Sequence, residues 1–299
     1  MKVGVDIGGT NIKFAVVNEA YEVKSTLTLP TEAHLGIEKI LSNILSGIER
    51  VKDGFECEAI GIGTPGDVDF KRGIVRSAGN LPYNNTEISR IVSESFALPV
   101  YLCNDASCAV LAEARAGHGK KYKNFIMLTL GTGVGGGIVI DGKPYLGAHG
   151  AAGEFGHVSV KLDGNSCRCG LCGCFEDYAS VTALIRMTEK AVKLNPNSTL
   201  SAIASRYGVS GKTAFSAANE GCPIAETVIA KYLDYLAIGI KNYVRIFDPE
   251  AVVLGGAITK EGEALLSPLI KKAKISLPIL ISALGENTGV IGAAALAIR

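Results

Sequence analysis

Apolar and polar positions alternate from Lys2 to Ile7 and again from Ile12 to Val17, with the glycine turn Gly8-Gly9-Thr10-Asn11 between them. Period-two alternation in β-branched residues predicts two strands, so the stretch reads as a hairpin. A third strand is expected over residues 23–29. From Gly36 to Val51 the apolar positions fall three and four apart, the spacing of a helix with one buried face. Ala59 to Gly63 reads as a strand ending in Thr64-Pro65-Gly66-Asp67, and Glu87 to Phe96 as a short amphipathic helix. Val100 to Cys103 is a strand that stops at Asn104-Asp105, and a helix from Ala106 to Ala116 is entered directly from it.

The design then starts again. Phe125 to Leu130 and Ile138 to Ile140 flank Gly131-Thr132-Gly133-Val134-Gly135-Gly136, once more strand, glycine turn, strand. Ser180 caps a helix to Leu194, broken by Asn195-Pro196-Asn197-Ser198. Pro223 to Arg245 has the spacing of a long helix, and Ala251 to Leu254 is a buried strand running into Gly255-Gly256. A helix from Glu261 to Lys274, a strand from Ile279 to Ala283 and an apolar helix from Gly289 to Ile298 close the chain. The last helix is too apolar to lie exposed and is expected to return to the first half. Two such hairpins, roughly 120 residues apart, read as an internal duplication. They would face each other across a cleft and hold one phosphorylated ligand from both sides. With 299 residues, two lobes are the expectation: residues 1–116 with 286–299 as the smaller, and 117–285 as the larger.

An exposed glycine turn offers backbone N–H groups with no side chain in the way, which suits a phosphate. Thr10 and Lys13 add a hydroxyl and a positive charge; an ordinary hairpin is the other reading. Two phosphate-site motifs are set aside. GTGVGG over 131–136 fits G-x-G-x-x-G, but a dinucleotide fingerprint must open a helix and a strand follows. GVSGKT over 208–213 lacks the glycine of a P-loop at 206, where Arg206 stands, and a helical stretch precedes it.

The 30 basic and 29 acidic residues are interspersed and give a net charge of +1, so no electrostatic footprint for nucleic acid or an anionic membrane exists. A small-molecule partner is expected. Asp6 interrupts what would be the apolar part of a signal peptide, and a cytoplasmic location follows. The longest uncharged run, Asn124 to Ile140, is glycine-broken and shorter than the roughly 20 residues a membrane helix needs. Glycine, 36 of 299 against a usual share of about 7%, concentrates in loops where backbone must approach something closely.

The densest chemistry lies between Glu154 and Asp177, where His157 precedes cysteines at 167, 169, 172 and 174. Gly170 and Gly173 let the backbone fold tightly enough for several thiolates to face one point, as in a zinc knuckle. His157 is the only histidine near enough in sequence to complete a tetrahedral set. A disulfide cluster is the other use of such thiols, but it needs an oxidising compartment.

Glu154-Phe155-Gly156-His157 followed by Cys167-x-Cys169-Gly170-x-x-Gly173-Cys174-x-Glu176 resembles the signature of the ROK family of bacterial sugar kinases and sugar-responsive repressors. DIGGTNIK, GIGTPGDVD, CNDASCAVLAEARAG, LGTGVGGG and DPEAVVLGG extend the resemblance over nearly the whole chain. It implies an α/β, duplicated actin-like, ribonuclease H-like ATPase fold with two lobes around a cleft. It also implies ATP-dependent phosphorylation of a hexose at its 6-hydroxyl. The resemblance makes His157, Cys167, Cys169 and Cys174 the ligands of a structural zinc, with Cys172 at a variable position. Asp105 becomes the general base, where a helix cap is its other reading. Asn80, Asn104, Asp105, Glu154, His157 and Glu176 would hold the sugar hydroxyls.

The glycine hairpins, through Gly8, Gly9, Thr10, Asn11, Lys13 and Gly131, Thr132, Gly133, Gly135, Gly136, would cradle the ATP phosphates. That set is expected to be separate from the sugar set. Asp6 would stand near magnesium and Gly255-Gly256 under the adenosine. A homodimer is implied as well. A sugar-sensing repressor is the competing class, but such proteins carry a winged-helix domain ahead of the first hairpin, which here begins at Met1. A zinc hydrolase would need an open zinc position. Family glucokinases carry a Trp shortly after the Asn-Leu matching Asn80-Leu81, where this chain has Pro82-Tyr83 and no Trp. Glucose, N-acetylmannosamine, N-acetylglucosamine, fructose and allose stay open.

Overall fold

The structure, a computed structural model, describes residues 1–148 and 150–298. The expected lobe segment 286–299 ends on Arg299, outside the described residues. Two compact units form: Met1–Lys123, Asp141–Pro144 and the C-terminal segment from Ser282 make one, and Asn124–Ile140 with Tyr145–Ile281 make the other.

In the first unit β1 (Lys2–Ile7) turns into β2 (Asn11–Val17) and β3 (Val23–Pro30), and α1 (Ile37–Val51) leads to β4 (Ala59–Thr64). A small hairpin of β5 (Asp67–Asp69) and β6 (Ile74–Ser77) precedes α2 (Ile88–Phe96), β7 (Val100–Asn104) and α3 (Asp105–Arg115). The sheet runs β3-β2-β1-β4-β7, with β1 antiparallel to β2 and parallel to β4, and β4 parallel to β7. Odd positions of β1, Val3, Val5 and Ile7, pack with Ile40, Ile44 and Ile48 of α1. Even positions face the other way.

In the second unit β8 (Phe125–Leu130) pairs antiparallel with β9 (Val134–Ile140), and the short β10 (Lys143–Tyr145) comes next in the chain. Helices α4 (Glu176–Ala179), α5 (Val181–Leu194), α6 (Thr199–Tyr207), α7 (Thr213–Asn219) and α8 (Pro223–Phe247) lead to β11 (Ala251–Gly255), α9 (Glu263–Ala273) and β12 (Ile279–Ile281). The strands run β9-β8-β11-β12, the order β2-β1-β4-β7 has in the first unit, so the duplication is visible in topology. The sequence pattern shows no sign of β5, β6 or α7, and α6 is the helical stretch read ahead of Gly208. Gly208–Thr213 joins α6 to α7 with no strand before it, so the P-loop likeness has no structural counterpart.

The chain ends on α10 (Thr288–Ala295), which lies on the even-position face of the first sheet. Gly4 and Gly61 make this possible: a Cβ on Gly4 would stand 2.0 Å from the Val290 carbonyl oxygen, and one on Gly61 1.8 Å from that of Ala293. Helix backbone touches sheet backbone there, and no side chain fits between.

Candidate active site

In the first unit, the carboxyl end of the sheet gathers the predicted residues. Asp6 stands directly across from Lys13 in the β1–β2 ladder. Burial, and then the nearby Asp105 carboxylate, push Asp6 from 3.8 up to about 6, with Lys13 pulling the other way. Two carboxylates share low-dielectric space with one cation, the electrostatics of a site suited to a divalent ion. Lys13 Nζ donates to the Glu286 carbonyl oxygen at 3.4 Å. The β1–β2 turn is held from outside: Thr31 Oγ1 donates to Gly8 O at 2.7 Å and Thr31 N to Thr10 O at 2.9 Å. Among the described residues no hydrogen bond engages the N–H groups of Gly9 and Thr10. Asn80 lies against the same turn, where a Cβ on Gly9 would come within 2.8 Å of Asn80 Nδ2.

Asn104 caps α3. Its Oδ1 accepts from Ala106 N at 2.9 Å and Ser107 N at 3.3 Å, and its Nδ2 donates to Gly66 O at 3.4 Å. Asp105 is the first residue of the helix, its Oδ1 accepting from Ala106 N at 2.9 Å. The capping role that an Asp at this junction could have filled thus belongs to its neighbour.

In the second unit, the β8–β9 turn is closed by Gly131 N donating to Gly133 O at 3.0 Å, and Val134 N donates to Glu176 Oε2 at 2.8 Å. A Cβ on Gly133 would stand 2.2 Å from that carboxylate oxygen. Each turn lies against a residue expected to hold a sugar hydroxyl: Gly133 abuts Glu176, and Gly9 abuts Asn80. Gly255 pairs with Thr129 at the end of β8, and a Cβ on Gly256 would lie 2.2 Å from Leu130 O, so both glycines sit beside the second turn. The strand that follows Gly133 excludes a dinucleotide fingerprint, as expected.

The segment from Glu154 is gripped at both ends by α8. Tyr243 Oη donates to Phe155 O at 2.5 Å, its ring 4.5 Å from that of Phe155, and Tyr232 Oη donates to Ala179 O at 2.9 Å. Phe175 is fully buried in the same core. Between these anchors His157, Cys167, Cys169 and Cys174 bring their donor atoms within 4.8 Å of one another. His157 Nδ1 is 3.6 Å from Cys167 Sγ, and Cys169 Sγ is 3.5 Å from Cys174 Sγ. Tetrahedral zinc, with bonds of about 2.3 Å to sulfur and about 2.0–2.1 Å to nitrogen, calls for separations of roughly 3.6–3.8 Å, so the donor set fits that ion. Burial and the adjacent Cys167 and Cys169 push the Cys174 thiol up to about 12, because three thiolates cannot gather without a cation. Cys172 stands outside the set and is exposed. His157 turns Nδ1 to the cysteines, and its Nε2 lies 3.9 Å from Glu154 Oε2. A hydroxyl oxygen can bridge such a gap.

Three features escaped the sequence. Glu113 is fully buried on α3, its carboxylate accepting from His118 N and Ala283 N, both at 2.9 Å, and from Ser282 Oγ at 2.5 Å. A charge on the apolar stripe of the predicted helix was the available signal. Tyr83 Oη and Thr64 Oγ1 lie 3.0 Å apart in the core, and Thr64 is the register partner of Asn104. Burial pushes Tyr83 up to about 12, against the Thr64 hydrogen bond and with a smaller push from the Asp105 charge. The Cys103 and Cys108 thiols flank Asp105.

The profile of the ROK family matches residues 2–299. The glucokinase of Streptomyces coelicolor is 36% identical over 99% of this chain and 97% of its own length. That of Thermotoga maritima is 35% identical over 98% and 96%. The crystal structure of a ROK family glucokinase from Streptomyces griseus in complex with glucose and AMPPNP superposes with a TM-score of 0.88 at 35% identity, covering 99% of this chain and 98% of that one. The two-sheet α/β architecture is thus the actin-like ATPase type that such structures share.

Proposed function

The chain belongs to the ROK family, and from that premise we propose that it is an ATP-dependent sugar kinase, transferring a phosphoryl group to the 6-hydroxyl of a hexose, glucose first. One observation carries the assignment of the base. Asp105 stands at the end of β7 beside Asp6, while Asn104 does the capping.

Asp105 takes the proton from the sugar hydroxyl as its oxygen attacks phosphorus; a positioned base of this kind is worth about 10²–10⁴-fold. Asn80, Asn104, Glu154, His157 and Glu176 are assigned to the sugar hydroxyls, which carboxylates and amides bond in pairs. ATP supplies the phosphoryl group and a magnesium ion the positive charge that its transfer demands. Asp6 would stand near that ion. The turn N–H groups around Gly8, Gly9, Thr10 and Asn11, with Lys13, and those of Gly131, Thr132, Gly133, Gly135 and Gly136 are assigned to the phosphates; Gly255-Gly256 are assigned to the adenosine. His157, Cys167, Cys169 and Cys174 would hold zinc, which with four protein donors has no position for water and acts structurally. Held by zinc, Nδ1 would set the His157 tautomer and leave Nε2 toward the Glu154 side. A homodimer and a cytoplasmic location complete the reading on family resemblance; no helix among the described residues is long and apolar enough to cross a membrane.

A coupled ADP-release assay over glucose, N-acetylglucosamine, N-acetylmannosamine, fructose and allose tests the proposal. Glucose-dependent ADP formation, faster than with the other sugars, is the expected result. ADP release with none of them would overturn it.

A further inference from the structure

Cys103 and Cys108 stand on either side of Asn104-Asp105, and no step of the proposed reaction uses them. Cys103 is the register partner of Gly63 in the parallel β4–β7 pair, so its side chain leaves the sheet on the face where a Cβ on Gly63 would point. That missing Cβ would lie 3.0 Å from Cys108 Sγ and 3.4 Å from Cys108 Cβ. Neighbouring strands are about 4.8 Å apart, so both thiols occupy one small space between the sheet and the first turn of α3. They differ in surroundings. Cys108 is fully buried, whereas Cys103 is partly exposed just ahead of a helix N-terminus.

From this juxtaposition we infer that Cys103 and Cys108 are an oxidation site, which peroxides convert to a disulfide that displaces Asp105 and shuts the site reversibly. The roles follow from the surroundings. Interaction with Cys108, with help from the Asn104 N–H and Ser107, draws Cys103 down to about 7 against the pull of burial, while Cys103 and burial hold Cys108 well above its ordinary value. Cys103 is therefore the attacking thiolate and Cys108 the resolving thiol. The Cys103 sulfur attacks one peroxide oxygen, the O–O bond breaks, and the other oxygen leaves as water after taking a proton. Cys108 sulfur then attacks the sulfenic sulfur; the S–S bond forms, the S–O bond breaks, and the hydroxyl leaves as water with the Cys108 proton. The two sulfurs lose two electrons in all and the peroxide gains them.

Closing the bond to about 2.05 Å requires movement. Cys108 cannot supply it, because its backbone is clamped under α10, where a Cβ on Gly292 would lie 1.8 Å from Cys108 O. The strand end moves instead. Asn104 and Asp105, the cap and the base, lie on the segment between the two sulfurs.

The test treats the zinc-loaded wild type with hydrogen peroxide. A non-reducing digest is expected to yield a peptide linking Cys103 to Cys108, lighter by two hydrogens, a readout independent of the kinase reading. Hexokinase activity should fall by about 100-fold, the scale of displacing a reacting group by about 1 Å, and return on adding dithiothreitol. Bound zinc, followed with a chromogenic chelator, should be retained throughout. Cys103→Ser, at a partly exposed position, should fold, turn over normally and keep its activity under peroxide. Absence of the linked peptide, or a Cys103→Ser protein inactivated as fast as wild type, would overturn the inference. So would loss of activity that tracks zinc release.

Discussion

Glu176 Oε2 accepts the Val134 N–H at 2.8 Å, which ties a carboxylate assigned to the sugar directly to the glycine turn assigned to ATP. Because Gly133 leaves room for that carboxylate, a side chain there displaces Glu176 as well as blocking the turn. Gly133→Val is accordingly expected to raise the KM for ATP and for glucose together, each by about ten-fold or more, the cost of one lost charge-assisted hydrogen bond. Steady-state kinetics with both substrates varied checks this. A change confined to ATP would mean that Glu176 is independent of the turn.

Asp6 gives a pH signature. Its folded value, raised from 3.8 to about 6, means that the neutral form is favoured in the fold. The stability this contributes is present below about pH 4 and is lost as pH rises through about 6. Two units correspond to about 3 kcal/mol at neutral pH as an order of magnitude. Asp6→Asn should therefore melt higher than the wild type at pH 7.5 without metal or nucleotide, with the advantage shrinking toward pH 4. It should also be catalytically inactive. A variant destabilised at pH 7.5 would show that Asp6 is held by favourable contacts, and the cation site would lose its basis.

The cluster of His157, Cys167, Cys169 and Cys174 is expected to hold one zinc per chain in protein purified without added metal, measured by elemental analysis. Cys167→Ser, Cys169→Ser and Cys174→Ser should each lose most of it and melt lower, since binding of structural zinc is folding free energy, about 10–16 kcal/mol in small peptides. Cys172→Ser should keep the metal. Zinc lost from that variant alone would reassign the ligand.

Much of this was legible because the relevant information is local. The two hairpins announce themselves by period-two alternation broken by glycines, and the His/Cys cluster lies within one segment of the chain from His157 to Cys174. What the chain order hid is set by register and packing. Glu176 reaches Val134 across 42 residues, and Glu113 reaches Ala283 across 170. Asp105 could be read as a helix cap until the backbone showed that the helix begins at Asp105 and Asn104 is its cap. Helix α7 was missed because it is short and is separated from α6 only by the loop around Gly208 to Gly211.

The central claim, that Asp105 is the base, is tested most directly by measuring turnover, glucose binding and thermal melting on Asp105→Asn. The substitution keeps an oxygen for the Ala106 N–H and leaves the Asn104 cap untouched. Asn104→Ala serves as the control for a broken cap, expected to lower stability by about 1 kcal/mol. The account predicts that Asp105→Asn melts near the wild type and binds glucose, while kcat falls by about 10²–10⁴-fold, roughly 3–5 kcal/mol of barrier. Near-normal kcat on glucose in a folded Asp105→Asn protein would contradict it.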